Sequence, residues 1–283
     1  MAAVLGTNIA SIFASKNLQS AQSDMANSVE RLSSGLRINR AKDDAAGLGI
    51  ANALTQQING ANQGIRNLND GISMVQTAEG AIAAASEMAQ RILTLATQGT
   101  NGSLSATQTA SIQNEMKQLW ASIGKIETRT TFSGISLLNR STDITITASN
   151  VASDTITLDS AVSFNEIYSG ATGTTDPADM YDAIFATIAD GTFATIVSET
   201  NTYITSLDTQ RGKLGAIQNQ MEYAVSNVTE LSANLTAARS RVQDTDYASE
   251  TAKLTKGQIL QQAATAMLAQ ANQMPNVILS LLK

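Results

Sequence analysis

Apolar residues fall at alternating steps of three and four along most of this chain, and the pattern is unbroken at both ends. Near the N-terminus it passes through Met25, Val29, Leu32 and Leu36. At the other end it runs Leu260, Ala264, Met267, Ala271, Met274, Ile278 and Leu281, with Leu268 beside the stripe. This is the period of a coiled-coil seam. It predicts a first helix from about Val4 to Leu36, broken at Gly35, and a last helical segment over 246–283. Pro275 cannot donate to the carbonyl of Ala271, which leaves two readings, a kink there or a helix end near Met274.

A second helix is expected over roughly 44–98. Its stripe reads Ala51, Leu54, Ile58, Ala61, Ile65, Leu68, Ile72 and Val75, is interrupted at Glu79 and resumes at Ile82. At ~1.5 Å per residue such a helix is about 80 Å long. A compact globule of this chain length has a radius of gyration of only about 19 Å, so the molecule is expected to be elongated. A turn over Gly99–Ser105 precedes a third helix with Ile112, Met116, Leu119, Ile123 and Ile126 on one face and Trp120 beside it. Ile144, Ile146 and Ala148 then alternate with Thr and Ser, as do Ile156 and Leu158 after a turn, which predicts a small β-hairpin. Asp176 and Pro177 form a cap and first turn for a short helix bearing Met180, Ile184 and Ile188 and ended by Gly191. The cleanest stripe follows, through Leu214, Ile217, Met221, Ala224, Val228, Leu231, Leu235, Ala238 and Val242, in a helix over about 193–242.

The two halves mirror each other. Basic Arg37, Arg40 and Lys42 precede Asp43 and Asp44, and basic Arg239 and Arg241 precede Asp244 and Asp246. Bases at a helix C-terminus and acids at the next N-terminus both suit the macrodipole. The expected fold is mainly α: an elongated, folded-back coiled-coil rod with a small β-hairpin-containing outer module. Residues 1–43 and 244–283 form a terminal coiled-coil domain, 44–140 and 193–243 an inner helical rod, and 141–192 a short outer module. The inner seam is built from Leu54, Ile58, Ile65, Leu68, Ile72 and Val75 on one side, and Leu214, Met221, Val228, Leu235 and Val242 on the other.

Composition narrows the chemistry. The 283 residues contain no His and no Cys. That excludes every triad containing His, thiolate metal sites and disulfides. Net charge is −6, which disfavours nucleic acid as a partner. No stretch approaches the ~18 apolar residues of a membrane span. Asn8, Ser11 and Ser15 interrupt the first apolar stretch, so no cleaved leader is expected. Gly47 and Gly49 begin a dinucleotide-like loop, but Asn52 replaces its third glycine and no strand precedes it. Adjacent Asp43 and Asp44 cannot face each other on a helix and read as caps. Asn101, Gly102 and Ser103 form a glycosylation sequon, meaningful only on a eukaryotic secretory route. No enzyme activity, cofactor or metal is expected. A single seamed helix is marginal in water. Both ends are therefore expected to be largely disordered in the monomer and to fold when neighbouring copies cover them.

Several stretches resemble bacterial flagellin. They are Arg31 to Asn39 (RLSSGLRIN), Lys42 to Ala51 (KDDAAGLGIA) and Asn69 to Gly80 (NDGISMVQTAEG) near the N-terminus, with Gln258 to Asn272 (QILQQAATAMLAQAN) and Leu279 to Leu282 near the C-terminus. The resemblance covers roughly 1–140 and 195–283. It implies a structural subunit that polymerises into the extracellular flagellar filament for swimming motility. The terminal seam would then be the polymerisation seam. It also implies unfolded export through the flagellar type III channel, a chaperone on the C-terminal helix, and encounters with hook-associated junction and cap proteins. The alternative within the superfamily is the hook–filament junction protein. A last implication is contact with the vertebrate innate flagellin receptor through Gln90, Arg91, Leu95 and Glu115, where Leu93 and Thr94 depart from the family's usual charged pair.

Overall fold

A computed structural model of the chain describes residues 8–138, 142–149, 154–158, 188 and 192–281, with the side chains of 274–281 excepted. Among the described residues there are five helices and two hairpins: α1 (Ile9–Ser34), α2 (Ala45–Gly99), α3 (Ala106–Arg129), β1 (Thr131–Phe132), β2 (Ile135–Ser136), β3 (Ile144–Thr147), β4 (Thr155–Leu158), α4 (Phe193–Gln243) and α5 (Tyr247–Leu281). The short helix expected before Gly191 lies outside the described residues, apart from Ile188, which is buried. The backbone of α5 stays helical past Pro275, so the helix does not end near Met274.

The chain forms two compact units, Met1–Gln56 with Asn234–Lys283, and Gln57–Ala233. We call them the terminal and central units. In the central unit the core is shared by α2, α3, α4 and the β3–β4 hairpin. Trp120 is buried there, edge-on to Tyr203 with ring centroids 5.0 Å apart. The α3 start is held by a capping box between Ser105 and Gln108. β1 and β2 pair antiparallel (Thr131↔Ser136, Phe132↔Ile135) around Ser133 and Gly134, both at positive φ. That is the two-residue hairpin turn whose twist matches its strands. Nothing in the hydrophobic pattern announces so short a pair. β3 and β4 pair antiparallel from Ile144↔Leu158 to Thr147↔Thr155, as the alternation predicts.

The buried face of α2 differs from the expected stripe in one respect. Gly64, Leu68, Gly71, Val75, Ala78, Ile82, Ala85, Ala89, Ile92 and Ala96 are buried, again at steps of three and four. Ile65 and Ile72 lie beside this line and are half-buried. Glu79 does not interrupt it, because Ala78 carries it forward. The two glycines are where the hairpin lies against the helix. A Cβ on Gly64 would fall 1.8 Å from the Ala148 carbonyl oxygen, and one on Gly71 would fall 2.4 Å from Ile146 Cδ1. Asn67 Nδ2, one turn along, donates to the Thr147 carbonyl at 3.1 Å. At Gly64 the obstacle is the hairpin backbone and leaves no room for a side chain; at Gly71 the ends of the Ile146 and Met221 side chains would have to move.

Gly64→Val should therefore push β3 off α2 and cost about 1–3 kcal/mol of central-unit stability, as overpacking does. Gly80, where an added Cβ would meet nothing within 4 Å, is the control: Gly80→Ala should stabilise by up to about 1 kcal/mol through helix propensity. Thermal unfolding of both variants checks the pair.

Candidate assembly surface

The terminal unit is built on α1 packed against α5, and small side chains hold the pair together. On α1 the buried residues are Ala14, Ala21 and Ser28, spaced by seven. On α5 they are Glu250, Gly257, Ala264 and Ala271, again spaced by seven. Between them Ser11, Leu18, Met25 and Leu32, and Leu254, Gln261 and Leu268, are half-buried and complete a three–four alternation on each helix. Leu268 thus lies on this seam and not beside it. Small residues at such positions let two helix backbones approach closely. A Cβ built on Gly257 would lie 3.5 Å from Met25 Cβ and 3.8 Å from the Ala21 carbonyl oxygen. A methyl fits there in ordinary van der Waals contact.

One charged group is buried in this seam. Glu250 is 4% exposed, and its Oε1 accepts from the Ser28 hydroxyl at 2.7 Å. Its Oε2 accepts from Lys253 Nζ at 3.0 Å, with the Arg31 guanidinium 4.0 Å away. Burial alone would push this carboxyl up. The Ser28 and Lys253 hydrogen bonds, with the charges of Lys253 and Arg31, outweigh burial and hold it below the ordinary glutamate value. At the far end of the pair Asn8 Nδ2 donates to the Ala271 carbonyl at 2.7 Å, and Ser11 Oγ to Asn272 Oδ1 at 3.0 Å.

The two mirrored loops meet at the other end. Gly35 ends α1 in the left-handed region (φ 72°), its N–H donating to the Arg31 carbonyl. Only glycine adopts that conformation without strain, and an added Cβ would also meet the Tyr247 hydroxyl at 3.1 Å. Leu36 and Asp244 form an antiparallel bridge. Arg37 N–H donates to the Gln243 carbonyl at 2.7 Å, and Thr245 N–H to the Gly35 carbonyl at 2.9 Å. The Arg37 guanidinium reaches the Val242 carbonyl at 2.6 Å. Asp44 caps α2 by accepting from Gly47 N–H at 2.8 Å, and Asp246 caps α5 through Ala248 N–H at 3.0 Å. Asp43 is not a helix cap. It accepts from the Arg40 and Asn39 N–H groups inside the loop, and the Arg40 bond is the main reason its carboxyl lies below the ordinary range.

The residues of the predicted polymerisation seam divide around this interface. Ala264 and Ala271 are buried within it; Met25, Leu32 and Leu36 are half-buried; Val29 (49%), Leu260 (48%) and Met267 (66%) are exposed. The side chains of Met274, Ile278 and Leu281 lie outside the described residues. Ile9, Ile12, Phe13 and Ile259 add to the exposed apolar surface. A groove of about 550 Å³ runs between the helices, with Phe13, Leu260, Ala263 and Met267 among its walls. Of the inner-seam residues, Ile58, Leu68, Val75, Leu214, Met221 and Val228 are buried, and Leu54, Ile65, Ile72, Leu235 and Val242 are half-buried. Among the four residues aligned with a receptor contact, Gln90, Arg91 and Glu115 are exposed, and Arg91 Nη2 lies 2.8 Å from Glu115 Oε1. Leu95 is 3% exposed and packs in the central core, so the exposed members of the set are the other three.

Reading for large apolar residues missed Ser28, Glu250 and Gly257. The signal that finds them is the recurrence of small or polar residues every seventh position on both terminal helices.

Comparison with known proteins shows the family. A family profile described as "Bacterial flagellin N-terminal helical region" matches residues 5–143, and one described as "Bacterial flagellin C-terminal helical region" matches 197–282. The chain belongs to the bacterial flagellin family. Flagellin B of Vibrio cholerae is 33% identical over 375 residues, covering 100% of both chains. The flagellar filament 33 kDa core protein of Treponema phagedenis is 37% identical over 292 residues, covering 99% of this chain and 100% of that one. The structure of a putative flagellar hook-associated protein from Vibrio parahaemolyticus shares the fold, with a TM-score of 0.59 at 16% identity, over 71% of this chain and 100% of that one. As a flagellin, the chain is a structural subunit, not an enzyme; it self-assembles into the extracellular flagellar filament. Among the described residues no helix is long and apolar enough to cross a membrane.

Two outcomes follow for the seam. Because the folded-state pKa of Glu250 is depressed, its contribution is present above the ordinary value of 4.5 and is lost as pH falls through the lower folded value. Acid should loosen the α1–α5 pair in assembled wild-type protein in that window, and Glu250→Gln should weaken the pH dependence; circular dichroism during acid titration of filaments reads both. Gly257→Leu should splay the helices, at about 1–3 kcal/mol, while Gly257→Ala is tolerated; the same titration at neutral pH compares their helicity.

Proposed function

We propose that the α1–α5 pair is the polymerising element, and that neighbouring copies cover the large side chains it leaves bare. The observation that carries this reading is the division of labour on the two helices. Ala, Ser and Gly, with Glu250, take the buried positions of the intramolecular seam and Leu18, Met25, Leu32, Leu254 and Leu268 its half-buried ones, while Phe13, Leu260 and Met267 are exposed. Exposed apolar surface of this kind beside a closed seam marks a protein–protein contact. In this reading both ends order fully only in the polymer, since a two-helix pair closed by small residues buries little apolar area. Residues 1–43 and 244–283 line the filament core, 44–140 and 193–243 form the inner domain around it, and 141–192 form the short outer module.

The same exposed faces explain the expected partners. A chain with uncovered apolar ends needs a chaperone on its C-terminal helix before export. An unfolded passage through the type III channel suits a chain with no cysteine and hence no disulfide to reduce. Hook-associated junction and cap proteins then meet the subunit at the growing filament. A vertebrate innate receptor is a further partner through Gln90, Arg91 and Glu115, whose ion pair joins α2 and α3 on an exposed face. Assembly remains the primary role.

Dilute monomer seeded with filament fragments tests the proposal. Wild-type subunits should elongate the seeds into fibres. Met267→Asp should stop elongation, because it places a charge where a neighbour has to make a dry contact; its central unit should melt as in wild type. Elongation of the variant at the wild-type rate would remove the α5 face from the account.

A further inference from the structure

The turn joining α2 to α3 carries a triplet that assembly does not explain. Asn101, Gly102 and Ser103 are all exposed and lie outside any helix or strand. Two donors converge on one atom: the Ser103 backbone N–H at 3.2 Å and the Ser103 hydroxyl at 3.0 Å both reach Asn101 Oδ1. The Gly102 N–H has no hydrogen-bond partner among the described residues. A Cβ built on Gly102 would meet nothing within 4 Å, so the residue lies in open space. A polarised amide carbonyl thus lies beside an uncommitted backbone nitrogen in the next residue.

We propose that Asn101 is a site of spontaneous deamidation, promoted by its own turn. The Gly102 nitrogen gives its proton to water and bonds to Asn101 Cγ, closing a five-membered ring made only of atoms from residues 101 and 102. Negative charge develops on Oδ1, where the two Ser103 donors already lie. Donors preorganised at a developing oxyanion are what stabilises a tetrahedral intermediate. The Cγ–Nδ2 bond then breaks, and the nitrogen takes up a proton and leaves as ammonia. Water opens the succinimide at either carbonyl, leaving an aspartyl or isoaspartyl residue at position 101. Water is the only co-reactant. The product adds one negative charge to a chain already at −6. Its isoaspartyl form also lengthens the backbone inside the turn.

The same dipeptide occurs at Asn59 and Gly60, in the interior of α2. There the helix commits the glycine N–H to a carbonyl four residues back and holds ψ near about −42°, which keeps the nitrogen from closing the ring. The fold therefore separates two chemically identical pairs.

The test is to incubate the full chain at mildly alkaline pH and map its peptides by a method that separates asparaginyl, aspartyl and isoaspartyl forms. Asn101 should convert with first-order kinetics while Asn59 persists, and in denaturant both should convert. Ser103→Ala should slow conversion at Asn101 several-fold in the folded chain and leave the denatured rate nearly unchanged. Persistence of Asn101 in the folded chain while it converts in denaturant would overturn the proposal. So would a folded rate that Ser103→Ala does not alter.

Discussion

Close approach of α1 and α5 through Ala, Ser and Gly is the constraint from which the properties of the terminal unit follow. A seam of small residues brings backbones together, and it leaves large neighbours on the flanks with nothing to cover them. Leu260 and Met267 lie within one turn of buried Ala264, yet the seam has no depth to receive them. The pair is thus complete as a two-helix contact and incomplete as a hydrophobic core. In the proposed reading a second copy supplies what the single chain lacks.

Within that thin seam, polar groups do work that side-chain volume does elsewhere. The Ser28–Glu250 bond, backed by Lys253 and Arg31, exists in one register only. A slide of one turn would bury Glu250 without its partners, and an unpaired buried charge is costly. The mirrored loops add a second fixed point. Backbone bonds from Arg37 to Gln243 and from Thr245 to Gly35 tie the end of α1 to the start of α5. Apolar seams of Ala and Gly specify register weakly, so these polar anchors supply the specificity.

Much of this was legible in the residues. The three–four period located the long helices, the Ile/Thr alternation located β3 and β4, and Gly35 marked the end of α1. The errors share one cause, which is weighting positions by size. Ile65 and Ile72 drew the α2 stripe away from Gly64 and Gly71, where the hairpin lies closest. Glu79 reads as an interruption because the buried Ala78 beside it adds little apolar volume. On α5 the expected seam combines buried Ala264 and Ala271 with exposed Leu260 and Met267. Glu250 was invisible for the complementary reason: a carboxylate at a heptad position reads as solvent-facing until its partner Ser28 is found on another helix, over two hundred residues away. The β1–β2 hairpin is four residues of strand, too short for any periodicity to show.

In the proposed assembly, large apolar side chains on α1 and α5 are uncovered in the single chain and covered by neighbours in the polymer. Amide hydrogen exchange over residues 9–32 and 247–271, measured on dilute monomer and on assembled filaments, tests it most directly. Rapid exchange is expected in the monomer and strong protection in the filament, with residues 57–99 protected in both. Terminal helices already protected in the monomer, to the same degree as in the filament, would contradict it.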